Sequence, residues 1–335
     1  GLAGSGPGTG QRATLWGCPF FGCAAESRDC KSNSITVWSC IGIHIKADMQ
    51  SIGRFLDHWS SLLEHQGVDA PRLSAEVLTA RALGLTRLEV LLRQQSFLES
   101  SAVHKAEAYL RRRANHEPLA YILEEKEFYG HVFRVSQEVL IPRPETERLI
   151  EVARGYVPLR RSPWVFADVC TGSGIIGIIL AIVCPGARGI LVDCSKSALA
   201  VASQNVRRHG LEHRLQLACG DLASALATDS LDLLVANPPY IPEQELPALE
   251  REVRDYEPHL ALVSGANGLQ AAEMLAGQAQ RVLKRGARLI MELGFDQPEQ
   301  LQRLLASRNR IWAEQTVFQD LSRRDRVLVL QKTVC

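Results

Sequence analysis

The sequence has no surplus of charge of either sign: 38 Lys and Arg stand against 37 Asp and Glu, a formal net charge of +1 over 335 residues. A chain that neutralises several phosphates along a duplex carries a basic excess, so this balance argues against a nucleic acid or an anionic membrane as partner. The local runs Arg111-Arg112-Arg113 and Arg323-Arg324 read as solvated faces. A membrane-spanning apolar run is also lacking; residues 175–183 come nearest and are too short. The nine cysteines include no C-x-x-C pair, which excludes a zinc ligand set and a secreted disulfide framework. Most are expected as reduced core thiols of a cytoplasmic protein. A basic n-region followed by an apolar h-region is missing, so no secretory signal is read.

What is present is globular: 46% hydrophobic and 22% charged residues, over a length that suits one large domain and a smaller one. Residues 1–48 have Gly- and Ser-rich patches without a helical period, and the first methionine is Met49. They are expected to be a disordered or non-native leader, with the working protein starting near Met49. A mitochondrial transit peptide is the alternative, on a stretch poor in arginine.

From residue 49 to 116 the pattern is helical. Ile52, Phe55, Leu56, Trp59, Leu62 and Leu63 make one apolar stripe that Gly67 stops. A second helix enters through Asp69-Ala70-Pro71, and further amphipathic segments cover residues 85–94 and 101–113. Together they predict a small helical bundle, of a kind that binds partners or simply packs. Residues 117–144 alternate as a β-hairpin linker would, and end in Ile141-Pro142-Arg143-Pro144, an extended stretch opening into a helix. From 145 to 335 strands alternate with helices: strands at 165–169, 189–193, 215–219, 231–236 and 287–293, helices at 175–184, 195–209 and 270–283, then two strands at 316–318 and 326–331. That alternation predicts an α/β fold, a parallel sheet covered on both faces with an antiparallel edge.

Two stretches carry the chemistry. Asn237-Pro238-Pro239-Tyr240 follows the apolar run 231–236, and neither proline can donate to a ladder, so a buried strand ends there. Ligands of open α/β sheets bind just beyond such ends. A planar NH2 group could give one N–H to the Asn237 side-chain oxygen and the other to the Pro238 carbonyl, with Pro239 and Tyr240 walling it. Upstream, Asp168-Val169-Cys170-Thr171-Gly172-Ser173-Gly174-Ile175-Ile176-Gly177 turns from strand to helix, and its glycines spell GxGxxG. That pattern, with Asp193 ending the next strand, leaves a nicotinamide enzyme open. An acid at the turn, Asp168, suits a cationic ligand better than a pyrophosphate. S-adenosylmethionine is such a ligand. Thr171, Gly172 and Gly174 would meet its methionine part, Asp193 its ribose hydroxyls, and Asp221, after Gly220, its adenine; Asn237 would face both cofactor and substrate.

These motifs resemble a class I methyltransferase acting on a planar nitrogen. Ile141-Pro-Arg-Pro-Glu-Thr-Glu, Tyr121-Ile-Leu-Glu-Glu-Lys-Glu-Phe-Tyr-Gly, Tyr256-Glu-Pro-His-Leu-Ala-Leu and Met291-Glu-Leu-Gly-Phe-Asp-Gln narrow the resemblance to the PrmC/HemK family. That resemblance implies a Rossmann-like sheet, a helical bundle that recognises the substrate, S-adenosylmethionine as methyl donor, and the glutamine of the Gly-Gly-Gln loop of a peptide chain release factor as acceptor. Asn237, Pro238 and Tyr240 would then be the catalytic residues, no metal would be needed, and a monomer without direct nucleic-acid contact is expected. An enzyme methylating the exocyclic amino group of a nucleobase is the second reading. The sequence departs from the family pattern twice: Glu124 stands for the usual glycine, and Ser264-Gly265-Ala266-Asn267-Gly268 is a loose form of a Gly-Gly-x-Asp-Gly turn.

Overall fold

Helix starts and stops are local events in the amino-terminal part. A computed structural model describes residues 51–157, 164–308 and 312–334; the leader 1–48, Met49 and five of the nine cysteines lie outside the described residues. Helix α1 (Ile52–His65) begins where the Ser51 hydroxyl accepts from the Arg54 amide, and its stripe is buried at Ile52, Phe55, Leu56, Trp59 and Leu63. Helix α2 (Pro71–Leu83) has proline in its first turn and left-handed Gly84 as its cap. A reciprocal Thr86–Glu89 capping box opens α3 (Arg87–Leu92). Helix α4 (Ser100–Ala114) lays Ala106 and Leu110 onto the others. Buried Glu76 is held by Arg72 and Arg87, each at 2.8 Å.

The linker differs from its expectation. Residues 119–123 form a short helix, α5 (Leu119–Leu123), because Pro118 fixes φ at −55° in its cap and has no N–H to leave unpaired. The hairpin is confined to β1 (Glu125–Phe128) and β2 (His131–Arg134). Glu124 caps α5 with φ +59°, the left-handed backbone that glycine adopts without cost.

Helix α6 (Thr146–Gly155) leads into the sheet. Its strands are β3 (Trp164–Val169), β4 (Ala187–Asp193), β5 (Leu215–Cys219), β6 (Leu231–Ala236), β7 (Leu283–Glu292), β8 (Trp312–Gln319) and β9 (Asp325–Lys332), in the order β5-β4-β3-β6-β7-β9-β8. The first five are mutually parallel, and β9 and β8 run antiparallel at one edge. Helices α7 (Ile175–Val183) and α8 (Lys196–Arg208) link the early strands, α9 (Arg251–Tyr256) and α10 (Gln270–Val282) follow β6, and α11 (Gln297–Arg308) follows β7. Two apolar cores result, one around Phe133, Phe166 and Ile178 and the other around Leu234, Leu275 and Leu289. Sequence pattern missed α9 and α11; four of the six residues of α9 are charged, and the α11 leucines Leu301, Leu304 and Leu305 make only a short stripe.

The chain passes β3 to β4 to β5 in one direction, then returns to the other side of β3 with β6. That reversal is a topological switch point, where open α/β sheets bind ligands. One cysteine expectation fails: Cys184 is buried, but Cys194 and Cys219 are exposed, because they sit at the carboxyl ends of β4 and β5, on the open side of the sheet. Among the described residues no helix is long and apolar enough to cross a membrane.

Candidate active site

A cavity of about 490 Å³ opens at the switch point. Its wall includes Thr171, Gly172, Asp193, Asp221, Asn237 and Pro239. Sequence-separated motifs therefore converge, because the carboxyl ends of parallel strands point the same way: Val169 pairs with Ala236 and with Val192, and Asp193 with Cys219.

The glycine turn is held from below. Asp168 is fully buried, and its Oδ2 accepts from the Thr171 hydroxyl at 2.6 Å and the Gly177 amide at 2.9 Å. Its Oδ1 has no partner. Burial pushes its pKa up to about 7 against those two hydrogen bonds. Asp168 is absent from the cavity wall; its two bonds brace the glycine turn. Gly174 is off the wall too: with φ +86° it caps α7, and a Cβ there would press on Ile178 and Ala202. Gly177 permits close helix–sheet packing, since its Cβ would lie 2.1 Å from Leu191. Gly172, with φ +54° and nothing near its missing side chain, is the glycine that leaves room in the cavity.

Asp193 ends β4 facing the cavity. Its Oδ2 accepts from the Gly172 amide and its Oδ1 from the Ser195 amide, both at 2.9 Å. Each carboxylate oxygen keeps a second lone pair for a ligand hydroxyl. Asp221 lies on the same wall just past β5.

On the other side, the Asn237 side chain donates from Nδ2 to the Thr146 hydroxyl oxygen at 3.3 Å. That bond assigns the amide nitrogen to Thr146 and leaves Oδ1 as an acceptor. Pro238 is buried and off the wall, and Tyr240 is also off the wall. Burial pushes the Tyr240 phenol up to about 12. Its carbonyl accepts from Gln297 Nε2 at 2.8 Å, and Gln297 Oε1 accepts from the Gly294 amide at 2.9 Å. A Cβ on Gly268 would lie 2.3 Å from the same carbonyl. The Ser264 to Gly268 turn therefore presses on the end of the Asn-Pro-Pro-Tyr segment.

The family resemblance implies that residues 141–147 border the pocket, and Pro142, Arg143 and Thr146 lie on the cavity wall; their partners had no role assigned from sequence. Arg143 pairs with buried Glu257, which also accepts from the Ile141 amide at 3.2 Å; burial raises its pKa against the Arg143 charge. The Ile-Pro-Arg-Pro and Tyr-Glu-Pro motifs thus lock to each other. The Tyr121 hydroxyl donates to the Val139 carbonyl at 2.6 Å, and the Tyr256 hydroxyl to the Asn115 carbonyl at 2.7 Å. Arg113, 4% exposed, joins the bundle to α9 through Glu252 at 2.6 Å. The signal available was the motif residues themselves; apart from Tyr121–Val139, their pairings cross more than a hundred positions and leave no local pattern.

The sequence matches two family descriptions, the PrmC N-terminal domain over residues 54–123 and the methyltransferase small domain over residues 160–260. Among solved structures, the catalytic domain of hMettl16 in complex with a MAT2A 3'UTR hairpin is similar with a TM-score of 0.51 at 17% identity, over 68% of this chain and 82% of that one. That likeness speaks to the methyltransferase fold alone. A release factor glutamine methyltransferase from Nitratidesulfovibrio vulgaris is 42% identical over 280 residues, 83% of this chain and 94% of the relative. One of the same name from Chlorobaculum tepidum is 41% identical over 270 residues, 78% of this chain and 90% of the relative. With the helical bundle, the glycine turn and the Asn-Pro-Pro-Tyr strand end all inside these matches, the chain belongs to the release factor glutamine methyltransferase family.

Proposed function

We propose that the protein transfers a methyl group from S-adenosylmethionine to the side-chain amide nitrogen of the glutamine in the Gly-Gly-Gln loop of a peptide chain release factor. The observation that carries the reading is the Asn237 amide, whose nitrogen is tied to Thr146 and whose oxygen is left to accept. The residues fit the methyl donor. Gly172 leaves backbone room for its methionine part, Asp193 keeps a lone pair on each oxygen for a ribose hydroxyl, and Asp221 borders the adenine side. Bound there, S-adenosylmethionine supplies an electrophilic methyl carbon on a sulfonium.

The chain's own task is to hold a poor nucleophile. An amide lone pair is delocalised into its carbonyl, so orientation matters more than deprotonation. Asn237 Oδ1 takes one amide hydrogen, which orients the nitrogen and meets the positive charge that grows on it; the Pro238 carbonyl, expected from the sequence to take the other, belongs to a buried residue off the cavity wall. Tyr240 stiffens the segment through its carbonyl bond to Gln297. The bundle recognises the release factor, with Arg113 and Glu252 joining it to the catalytic part; the protein works as a cytoplasmic monomer without direct nucleic-acid contact.

Incubation with S-adenosylmethionine and a release factor, followed by mass spectrometry, should show one added methyl on the Gly-Gly-Gln glutamine. Asn237→Ala should bind S-adenosylmethionine nearly as the parent does and turn over about a hundredfold more slowly, the scale of a lost preorganised contact. Wild-type turnover in that variant would remove the amide clamp. Transfer to DNA or RNA with none to release factor would replace the reading by the nucleobase one.

A further inference from the structure

Behind the Asn237 amide sits an acid to which neither motif logic nor the proposed reaction gives a task. Glu292 is the last residue of β7 and is 1% exposed. Parallel pairing of β6 with β7 sets Ala236 beside Met291, so the next residues in register are Asn237 and Glu292. The sheet therefore places the carboxyl next to the clamp. Thr146, 1% exposed at the start of α6, completes the cluster, with its hydroxyl oxygen 3.3 Å from Asn237 Nδ2. Glu292 Oε2 has no hydrogen-bond partner, an expensive arrangement for a buried acceptor and one that native structures keep for a reason.

We propose that Glu292 is a positioning residue that fixes which way the Asn237 amide faces, and so makes the site accept hydrogens from its substrate and not donate to it. The inference rests on the reading of Asn237 as the amide acceptor. An ionised carboxylate can only accept. Thr146 and Asn237 are its polar side-chain neighbours, and the donors they carry are the Thr146 hydroxyl and the Asn237 Nδ2 group. With both donors turned toward Glu292, Oδ1 of Asn237 turns toward the cavity. A carboxamide turned over would put its NH2 against the substrate NH2, donor against donor. The charge behind the clamp also polarises Oδ1 while positive charge develops on the substrate nitrogen.

A protonated Glu292 would lose this power, since it gains an O–H donor and tolerates either amide orientation. Burial pushes its pKa up to about 7, opposed by the Thr146 and Asn237 hydrogen bonds and the Arg326 charge, and assisted by Glu145. The groups facing it come from every neighbouring element: Thr146 and Glu145 at the start of α6, Asn237 and Tyr240 beyond β6, Arg326 on β9. Glu292 stays ionised above neutrality and takes up its proton below it, so turnover should climb as pH rises through about 7.

The test compares Glu292→Gln, Thr146→Val and Asn237→Ala with the parent protein, using calorimetry for S-adenosylmethionine and turnover against pH on a release factor. Glu292→Gln should keep its S-adenosylmethionine Kd within about twofold, lose roughly tenfold or more in kcat, and lose the rise in turnover through neutrality, because glutamine does not titrate. A Glu292→Gln protein with the parent's kcat and pH profile overturns the proposal. Should that variant fail to bind S-adenosylmethionine for want of folding, Thr146→Val decides: lowered kcat with intact cofactor binding supports the relay, and the parent's kcat overturns it. Full activity of Asn237→Ala would instead bring down the clamp reading beneath it, whereas an inactive Asn237→Ala beside a normal Glu292→Gln sinks the present inference alone.

Discussion

Replacing Gly268 by alanine tests whether the turn after β6 sets the geometry of the Asn-Pro-Pro-Tyr segment. The added Cβ would lie 2.3 Å from the Tyr240 carbonyl oxygen and 2.5 Å from Gln297 Nε2, the two atoms that hydrogen-bond each other at 2.8 Å. Neither neighbour is a free side-chain end: one is backbone, and the other belongs to a residue 4% exposed and tied at its far side to the Gly294 amide. Gly268 has φ +74°, where a residue with a Cβ costs about 1–2 kcal/mol. Losing the Gln297–Tyr240 bond with its groups left buried costs about 1–3 kcal/mol more. The sum, about 2–5 kcal/mol, should appear as a lower urea midpoint with an unchanged slope. Turnover should fall further than S-adenosylmethionine affinity, because the displaced carbonyl follows Asn237 by three residues while Gly172 and Asp193 stand across the cavity. A Gly268→Ala protein within about 0.5 kcal/mol of the parent in stability, and equal to it in turnover, would refute the claim that this turn holds the clamp.

Glu124→Gly should raise unfolding free energy by about 1 kcal/mol, since φ +59° is strained for glutamate and free for glycine; the exposed pair it forms with Arg134 contributes little against that. A lower urea midpoint would mean that the pair outweighs the backbone. Asp193→Ala should weaken S-adenosylmethionine binding about tenfold or more, because charged hydrogen bonds are worth about 1.5–3 kcal/mol each and the glycine turn loses its tie at Gly172. Unchanged affinity by calorimetry would move the ribose contact elsewhere.

Sequence and tertiary structure divided the work by the range of the interactions involved. The α1 stripe, the strand runs at 215–219 and 231–236, and the glycine turn were legible because each is an interaction within a few residues: apolar period, proline stops, turn conformations. The short α5 helix was read as strand because one proline's φ constraint and five residues carry too little period to separate the two. Charged α9 escaped for lack of an apolar stripe, whereas α11 was passed over although Leu301, Leu304 and Leu305 make a short one.

The site divided in the same way. Asn237, Gly172, Asp193 and Asp221 could be named from their places at strand ends, and all four reach the cavity wall. Asp168 and Gly174 could be named but not placed. Which side of the strand end faces the ligand depends on how α7 packs on the sheet, and that packing turned Asp168 inward to Thr171 and Gly177. Glu292, Glu257 and Gln297 had no function, and Thr146 none beyond lying in the stretch that borders the pocket, until β6 and β7 paired in register and distant loops met. A buried carboxyl acts through what surrounds it, and those surroundings come from segments up to 146 positions away, as Thr146 and Glu292 are in the numbering; no spacing rule along the chain encodes them.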